Sequence, residues 1–237
     1  MTMTDAKTSS RDNRILVRSL IVGLFVLMQA ILVVFVKHDV LDMNIRPNTQ
    51  PSLDFYGAID IGQTFRAEGA NIGRIDLLFG THGRRVSYPV GFELYEIGPS
   101  KTLVATSGID ASSLRDNLFQ AFRFPVVRGS RGKRYLIRLF ASSATAANAM
   151  AIWKNSADIY PDGTMVYNGA PDSGDLIFRV YSRRAIASEL GRIVAGNPGV
   201  LGSPALFAAV VLLLEAAFIW ALAAIVDRIM ERRDGDV

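Results

Sequence analysis

The stretch IDIGQTFRAEGANIGRIDLLFG, Ile59–Gly80, decides how the middle of this chain folds. Ile59, Ile61, Phe65 and Ala67 alternate with Asp60, Gly62, Thr64 and Arg66. Further on, Ile75, Leu77 and Phe79 alternate with Arg74, Asp76 and Leu78. A period of two sends successive side chains to opposite faces of a strand, so each half offers one face to a core and one to water.

The same alternation recurs outward from this stretch. Val90, Phe92 and Leu94 alternate with Gly91, Glu93 and Tyr95, and Phe122, Phe124 and Val126 with Ala121, Arg123 and Pro125. Tyr135, Ile137 and Leu139 follow, then the short Ala149–Trp153 and Met165–Tyr167, then Leu176, Phe178 and Val180 against Arg179 and Tyr181. Turn-forming residues separate these runs at Gly80-Thr81-His82-Gly83, Gly98-Pro99-Ser100, Arg131-Gly132-Lys133, Pro161-Asp162-Gly163 and Asn168-Gly169. About eight or nine short strands with no long helical period between them predict an antiparallel β-sandwich over residues 55–181.

Two apolar runs flank this region. Leu206–Val226, LFAAVVLLLEAAFIWALAAIV, is about twenty residues long, enough to cross a bilayer core at ~1.5 Å per residue. The other, Ser19–Val36, continues unbroken into KHDVLDMN with no small-residue cleavage pattern, and so predicts an uncleaved signal anchor. Lys7, Arg11, Arg14 and Arg18 precede the first run, and Arg228, Arg232 and Arg233 follow the second. The positive-inside rule then places both termini in the cytoplasm and the middle outside, at a bacterial inner membrane. The expected order is a tail (1–18), a first span (19–36), an extended linker with Pro47 and Pro51 (37–54), the sandwich (55–181), an amphipathic or linker helix (182–200), a second span (201–227) and a second tail (228–237). Ser182 is expected to cap that intervening helix, with Arg183, Arg184 and Arg192 available to lipid headgroups.

The totals agree with this layout. The chain has 237 residues, is 50% hydrophobic and carries a formal charge of +4. Its mean hydropathy of +0.25 is high for a soluble domain, and the two apolar runs account for it. Roughly 160 residues lie between the tethers, a normal size for one domain. Cysteine is absent, which excludes disulfides, thiolate metal sites and cysteine nucleophiles.

The succession GQTFRAEGANIGRIDLLFG, GFELYE, FQAFRFPVVRGSRGKRYLIRLF, YPDGTMVYNG and GDLIFRVY resembles extracytoplasmic bacterial jelly-roll domains of the galactose-binding-like and lectin-like kind. The resemblance covers Asp54–Tyr181 and is most specific at the Gly132–Tyr135 turn and the closing Asp175–Tyr181 strand. It implies an antiparallel jelly-roll β-sandwich inserted between two transmembrane helices. Such domains occur alone or appended to membrane proteins of surface-polysaccharide metabolism, so the resemblance identifies a fold more than a function. The dense aromatic platform of sugar-binding relatives is missing, and no family ligand set maps onto the chain position by position.

Chemistry-bearing residues are sparse. The only histidines are His38 and His82, and neither G-x-S-x-G nor a P-loop occurs. Glu93 and Glu96 fall on opposite faces of one strand and cannot form a facing carboxylate pair. Trp153, Tyr160 and Tyr167 are candidates for stacking on a sugar or covering a partner, with burial under a loop as the alternative for Trp153. Arg115, Arg123, Arg128, Arg131, Lys133, Arg134 and Arg138 share a span with one acid, Asp116. They predict either a solvated face or a basic surface for an anionic partner, with Arg131, Lys133 and Arg134 at its centre. Asp158, Asp162, Asp172 and Asp175 crowd the last loops, where they serve in turns or, less favourably, as calcium ligands. Glu215 stands near the centre of the second apolar run, at a depth similar to that of Gln29, which lies just outward of the middle of the first. A polar contact between them, or between Glu215 and a neighbouring subunit, is expected.

Three functions follow as expectations. The first is a non-catalytic accessory or assembly subunit docked on a larger integral-membrane complex. The second is a membrane-anchored carbohydrate-binding module of cell-envelope polysaccharide. The third, least favoured, is a hydrolase with a spatially assembled carboxylate pair. No cofactor or nucleic acid is called for.

Overall fold

The computed structural model describes residues 16–17, 19–29, 31, 34–196 and 203–235. Two compact units divide the chain: Asp39–Arg184, and a second made of Met1–His38 with Ala185–Val237.

Asp39–Arg184 is a mainly-β sandwich of two antiparallel sheets. One sheet has seven strands in the order β1 (Lys37–Asn44), β13 (Phe178–Ala185), β4 (Ile72–Gly80), β9 (Ala151–Asn155) and β12 (Asp175–Leu176). The short β2 (Gln50–Pro51) pairs with β9, and β7 (Phe119–Val127) pairs with β4. The other sheet has six strands in the order β11 (Ala170–Asp172), β10 (Thr164–Tyr167), β3 (Asp60–Arg66), β8 (Arg134–Phe140), β5 (Pro89–Ile97) and β6 (Lys101–Asp110).

The alternating residues do what their period requires. Ile61 and Phe65 from β3, Tyr135, Ile137 and Leu139 from β8, and Val90, Phe92 and Leu94 from β5 face the gap between the sheets. Ile75, Leu77, Phe79, Phe122, Phe178 and Val180 meet them from the other side. Aromatic rings carry the contact across. Phe92 stacks on Phe122 at 5.0 Å and on Phe124 at 5.5 Å, and Phe65 lies 5.7 Å from Phe178. Offset and tilted pairs at these separations add ~0.5–1.5 kcal/mol each beyond their burial.

Several boundaries differ from the sequence reading, each for a physical reason. Residues 37–44, expected within a linker, form β1, which lies beside β13. Only Met43 of this strand is fully buried, so it carried no apolar alternation. β6 was not foreseen either: in KTLVATSGID only Ala105 is buried, and the strand is held by its ladder to β5 from Pro89↔Asp110 to Ile97↔Lys101. Ser182 does not cap a helix. It is buried in β13, and the helix runs Ile186–Gly196. Arg183 and Arg184 therefore belong to the sandwich, where Arg184 pairs with Asp42 of β1. The compact unit extends past 55–181 at both ends accordingly.

In the second unit residues 19–29 are helical, and a further helix spans Pro204–Gly235. Among the described residues no helix is long and apolar enough to cross a membrane. The N-terminal tail with Lys7, Arg11, Arg14 and Arg18 lies outside the described residues, as do the junction 197–202 and the side chains of Arg232 and Arg233.

Two predictions follow from the core. Phe92→Ala removes the ring that bridges to both Phe122 and Phe124, and should cost about 3–5 kcal/mol in urea unfolding; a loss under about 1 kcal/mol would contradict the packing described. Burial, helped by the Glu96 carboxylate, pushes the Tyr135 phenol up to about 12. The folded state thus favours the protonated phenol. Its stabilising contribution is complete below pH ~10 and is lost as the pH rises toward ~12. Denaturation midpoints followed over that window should fall less steeply for Tyr135→Phe than for the wild type.

Candidate functional site

Three segments meet at one end of the sandwich: Arg66 at the end of β3 with Ala67 and Glu68 that follow it, the turn at Arg131 and Gly132, and the loop with Tyr160 and Asp162. They line a groove of about 440 Å³. Backbone hydrogen bonds fix its walls. Gly132 N–H donates to the Ala67 carbonyl at 2.7 Å, and Ala67 N–H donates to the Lys133 carbonyl at 2.9 Å. The turn needs Gly132 because its φ is +78°, a left-handed conformation that other residues adopt only under strain.

Tyr160 joins the third segment to the first. Its hydroxyl accepts from Arg66 N–H at 3.0 Å, and its ring meets Phe178 edge-on at 6.3 Å. Burial raises its pKa above the ordinary phenol value, and the nearby Asp162 and Glu68 carboxylates add to the rise. The loop itself hangs on Asp175. That carboxyl is 1% exposed and accepts from Ile159 N–H at 2.8 Å, from Tyr160 N–H at 2.9 Å and from the Gln63 amide at 2.9 Å. Gln63 is itself fully buried and accepts from Leu176 N–H at 3.0 Å.

The four loop aspartates do not act together. Asp175 is engaged by three N–H donors, which use three of the about four lone-pair sites of its carboxylate, and so it acts as a structural acceptor. Asp172 accepts from Ser173 N–H at 2.8 Å and lies 3.5 Å from Lys154. Asp158 is exposed, and Asp162 lines the groove. Among the described residues no group of three or more acids or histidines is placed to hold a metal.

Nor do the three aromatics form one platform. Trp153 is half-buried, its indole N–H donating to Asn117 at 2.7 Å. Tyr167 donates to the Asp54 carbonyl at 2.7 Å. Only Tyr160 reaches the groove, in company with Arg131.

The basic span is divided in the same way. Lys133 pairs with Glu96 at 2.9 Å, and Arg123 with Asp39 at 2.5 Å. Arg138 donates to Asp60 at 2.6 Å and to Glu93 at 2.8 Å, so its pKa rises, chiefly through the bond to Asp60. Tyr95 adds a further bond to Glu93 at 2.8 Å. Asp60 and Glu93 do meet across β8, with the Arg138 guanidinium lodged between them. Arg134 is exposed at the start of β8 and does not line the groove. Arg66 and Glu68 were missed by sequence reasoning, since a charged residue closing an alternating strand carries no local signal.

In the helical unit Gln29 and Glu215 come together. A carboxylate only accepts, so the Gln29 amide nitrogen faces it and donates to both Glu215 oxygens, at 3.0 Å for Oε2. Phe25 stacks on Phe218 at 4.7 Å beside them.

The fold and its sites define a two-sheet antiparallel sandwich with a groove lined by charged side chains at one end, and a helical unit whose two apolar segments share a polar contact. No protein-family model matches the chain, and no curated protein matches it.

Removing the Asp175 carboxyl strands three buried donors. Asp175→Ala should cost about 3 kcal/mol, because hydrogen bonds to such a group are worth ~1.5–3 kcal/mol each and some donors find water. The loss should be equal in calcium and in chelator when followed by thermal melting. A calcium-dependent difference would favour the ligand reading.

Proposed function

We propose that the chain is a non-catalytic accessory subunit that holds its sandwich outside a bacterial inner membrane on two apolar helices. The observation that carries this reading is the Gln29–Glu215 contact between the two apolar segments. A carboxyl in the centre of a twenty-residue apolar run is costly in lipid, and a side-chain amide on a facing helix satisfies it. The strand order supports the same reading. β1 and β13 are neighbours, so the chain enters and leaves the sandwich at one edge of one sheet, as two side-by-side tethers require.

With Glu215 satisfied inside the chain, docking on a larger complex falls to the outer faces of the helices. Leu213, Leu214 and Trp220 are exposed there, and Ala209, Ala216, Ala217 and Ala221 keep the surface low enough for another helix to approach. The non-catalytic reading draws support from Arg138, which fills the space between Asp60 and Glu93 that a substrate of a carboxylate-pair hydrolase would occupy.

Purification of the tagged full chain in mild detergent, followed by mass spectrometry, should recover a stoichiometric integral-membrane partner; a stable lone monomer would overturn the accessory reading. A double-mutant cycle with Gln29→Leu and Glu215→Leu should return a coupling of ~0.6–2 kcal/mol between the helices.

A second reading, a carbohydrate-binding module of the lectin-like kind, is favoured by one observation: charged and hydroxyl-bearing side chains (Arg66, Glu68, Arg131, Tyr160, Asp162) line a groove whose volume is in the range of small-ligand sites.

A further inference from the structure

The two arginines of the groove are held in an unusual reciprocal way. Arg66, on β3, donates from Nε to the Gly132 carbonyl in the turn at 3.1 Å. Arg131, in the turn, donates from Nε to the Glu68 carbonyl just past the end of β3 at 3.1 Å. Each guanidinium is thereby anchored by one of its five N–H groups on the opposite segment, leaving four to point elsewhere. Neither has an ion-pair partner among the described residues. This contrasts with Arg74, Arg123, Arg138 and Arg184, each paired with a carboxylate.

Glu68 and Asp162 line the same groove, likewise outside any ion pair. Two oriented guanidinium forks match the geometry of a carboxylate, while two carboxylates accept from hydroxyls. An acidic peptide suits this lining poorly, since its carboxylates would meet Glu68 and Asp162 as well as the arginines. A sugar acid suits it: one carboxylate per ring for the forks and hydroxyls around the rim for the acids. The site is also built before any ligand arrives, because Tyr160 is fixed by Asp175 and by Arg66 N–H. Preorganisation of this kind lowers the entropic cost of binding.

We propose that the groove formed by Arg66, Glu68, Arg131, Tyr160 and Asp162 binds an acidic saccharide, with Arg66 and Arg131 holding its carboxylate and Glu68 and Asp162 its hydroxyls. This rests on the carbohydrate-binding reading and is independent of which membrane complex the chain joins.

The test is calorimetric titration of the full chain in detergent micelles with trisaccharides of galacturonate, glucuronate and mannuronate. Their methyl esters, neutral galactotriose, a triglutamate peptide and inorganic phosphate serve as comparisons. At least one uronate should bind, and its methyl ester should bind tenfold or more weakly. Arg66→Gln and Arg131→Gln should each weaken uronate binding at least tenfold with unchanged melting temperature, while Arg134→Gln leaves it within twofold. Added salt should weaken binding progressively. Uronate binding that survives both groove substitutions, equal binding of the ester, or equal binding of phosphate or triglutamate overturns the proposal. Galactotriose binding unaffected by the arginines removes this site while keeping the carbohydrate reading; the absence of any sugar binding removes both.

Discussion

The hydrogen bond between Gln63 and Asp175 is the constraint on which the groove end of the sandwich depends. Gln63 belongs to β3 in one sheet and Asp175 to β12 in the other, and both side chains are buried. A buried polar group without a partner costs several kcal/mol, so the two sheets can close here only in the one arrangement that satisfies both. The same carboxyl accepts from Ile159 and Tyr160 N–H. The constraint therefore passes from the core to a surface loop, and from that loop through the Tyr160 hydroxyl to the end of β3.

A second constraint on the fold comes from β1 and β13. Ile45 N–H donates to the Phe178 carbonyl at 3.0 Å, Arg179 reaches Asn44, and Arg184 pairs with Asp42. The first and last strands of the unit thus close on each other. The two ends of the unit therefore lie about one strand spacing apart, about 5 Å.

How much of this was legible in the residues depends on where each one sits. β5, β7 and β8 alternate because one face of each meets the core, and period two is the trace burial leaves; β4 is buried on both faces, and its alternation reflects side-chain type alone. β1 and β6 run along sheet edges with almost nothing buried, so their pairing left no pattern to read. The Gln29–Glu215 contact was legible because polar residues are rare in apolar runs. Asp175 was read as one of four loop aspartates; nothing in its neighbourhood announces that it is buried against Gln63, 112 positions away. Trp153 shows the same limit. Its alternation placed it on the outer face, but the cap supplied by Asn117 comes from a turn 36 residues distant.

Arg138 and Arg74 are held differently from the arginines of the groove. Arg138 lies in the middle of β8, between β3 and β5, and finds Asp60 on one side and Glu93 on the other. Arg74 lies within β4 and holds Asp76 through two bonds of 2.6 Å, with Tyr181 beneath it at 4.3 Å. Arg138 thus finds its acids across the strands, and Arg74 finds its acid two positions along its own strand. Arg66 closes its strand and Arg131 stands in a turn. Backbone carbonyls hold them instead, and a carbonyl engages one N–H without cancelling the charge. Arg66 and Arg131 thus sit at a loop end without a carboxylate partner among the described residues. That places the capacity to recognise an anion where three fixed segments already form a wall around it.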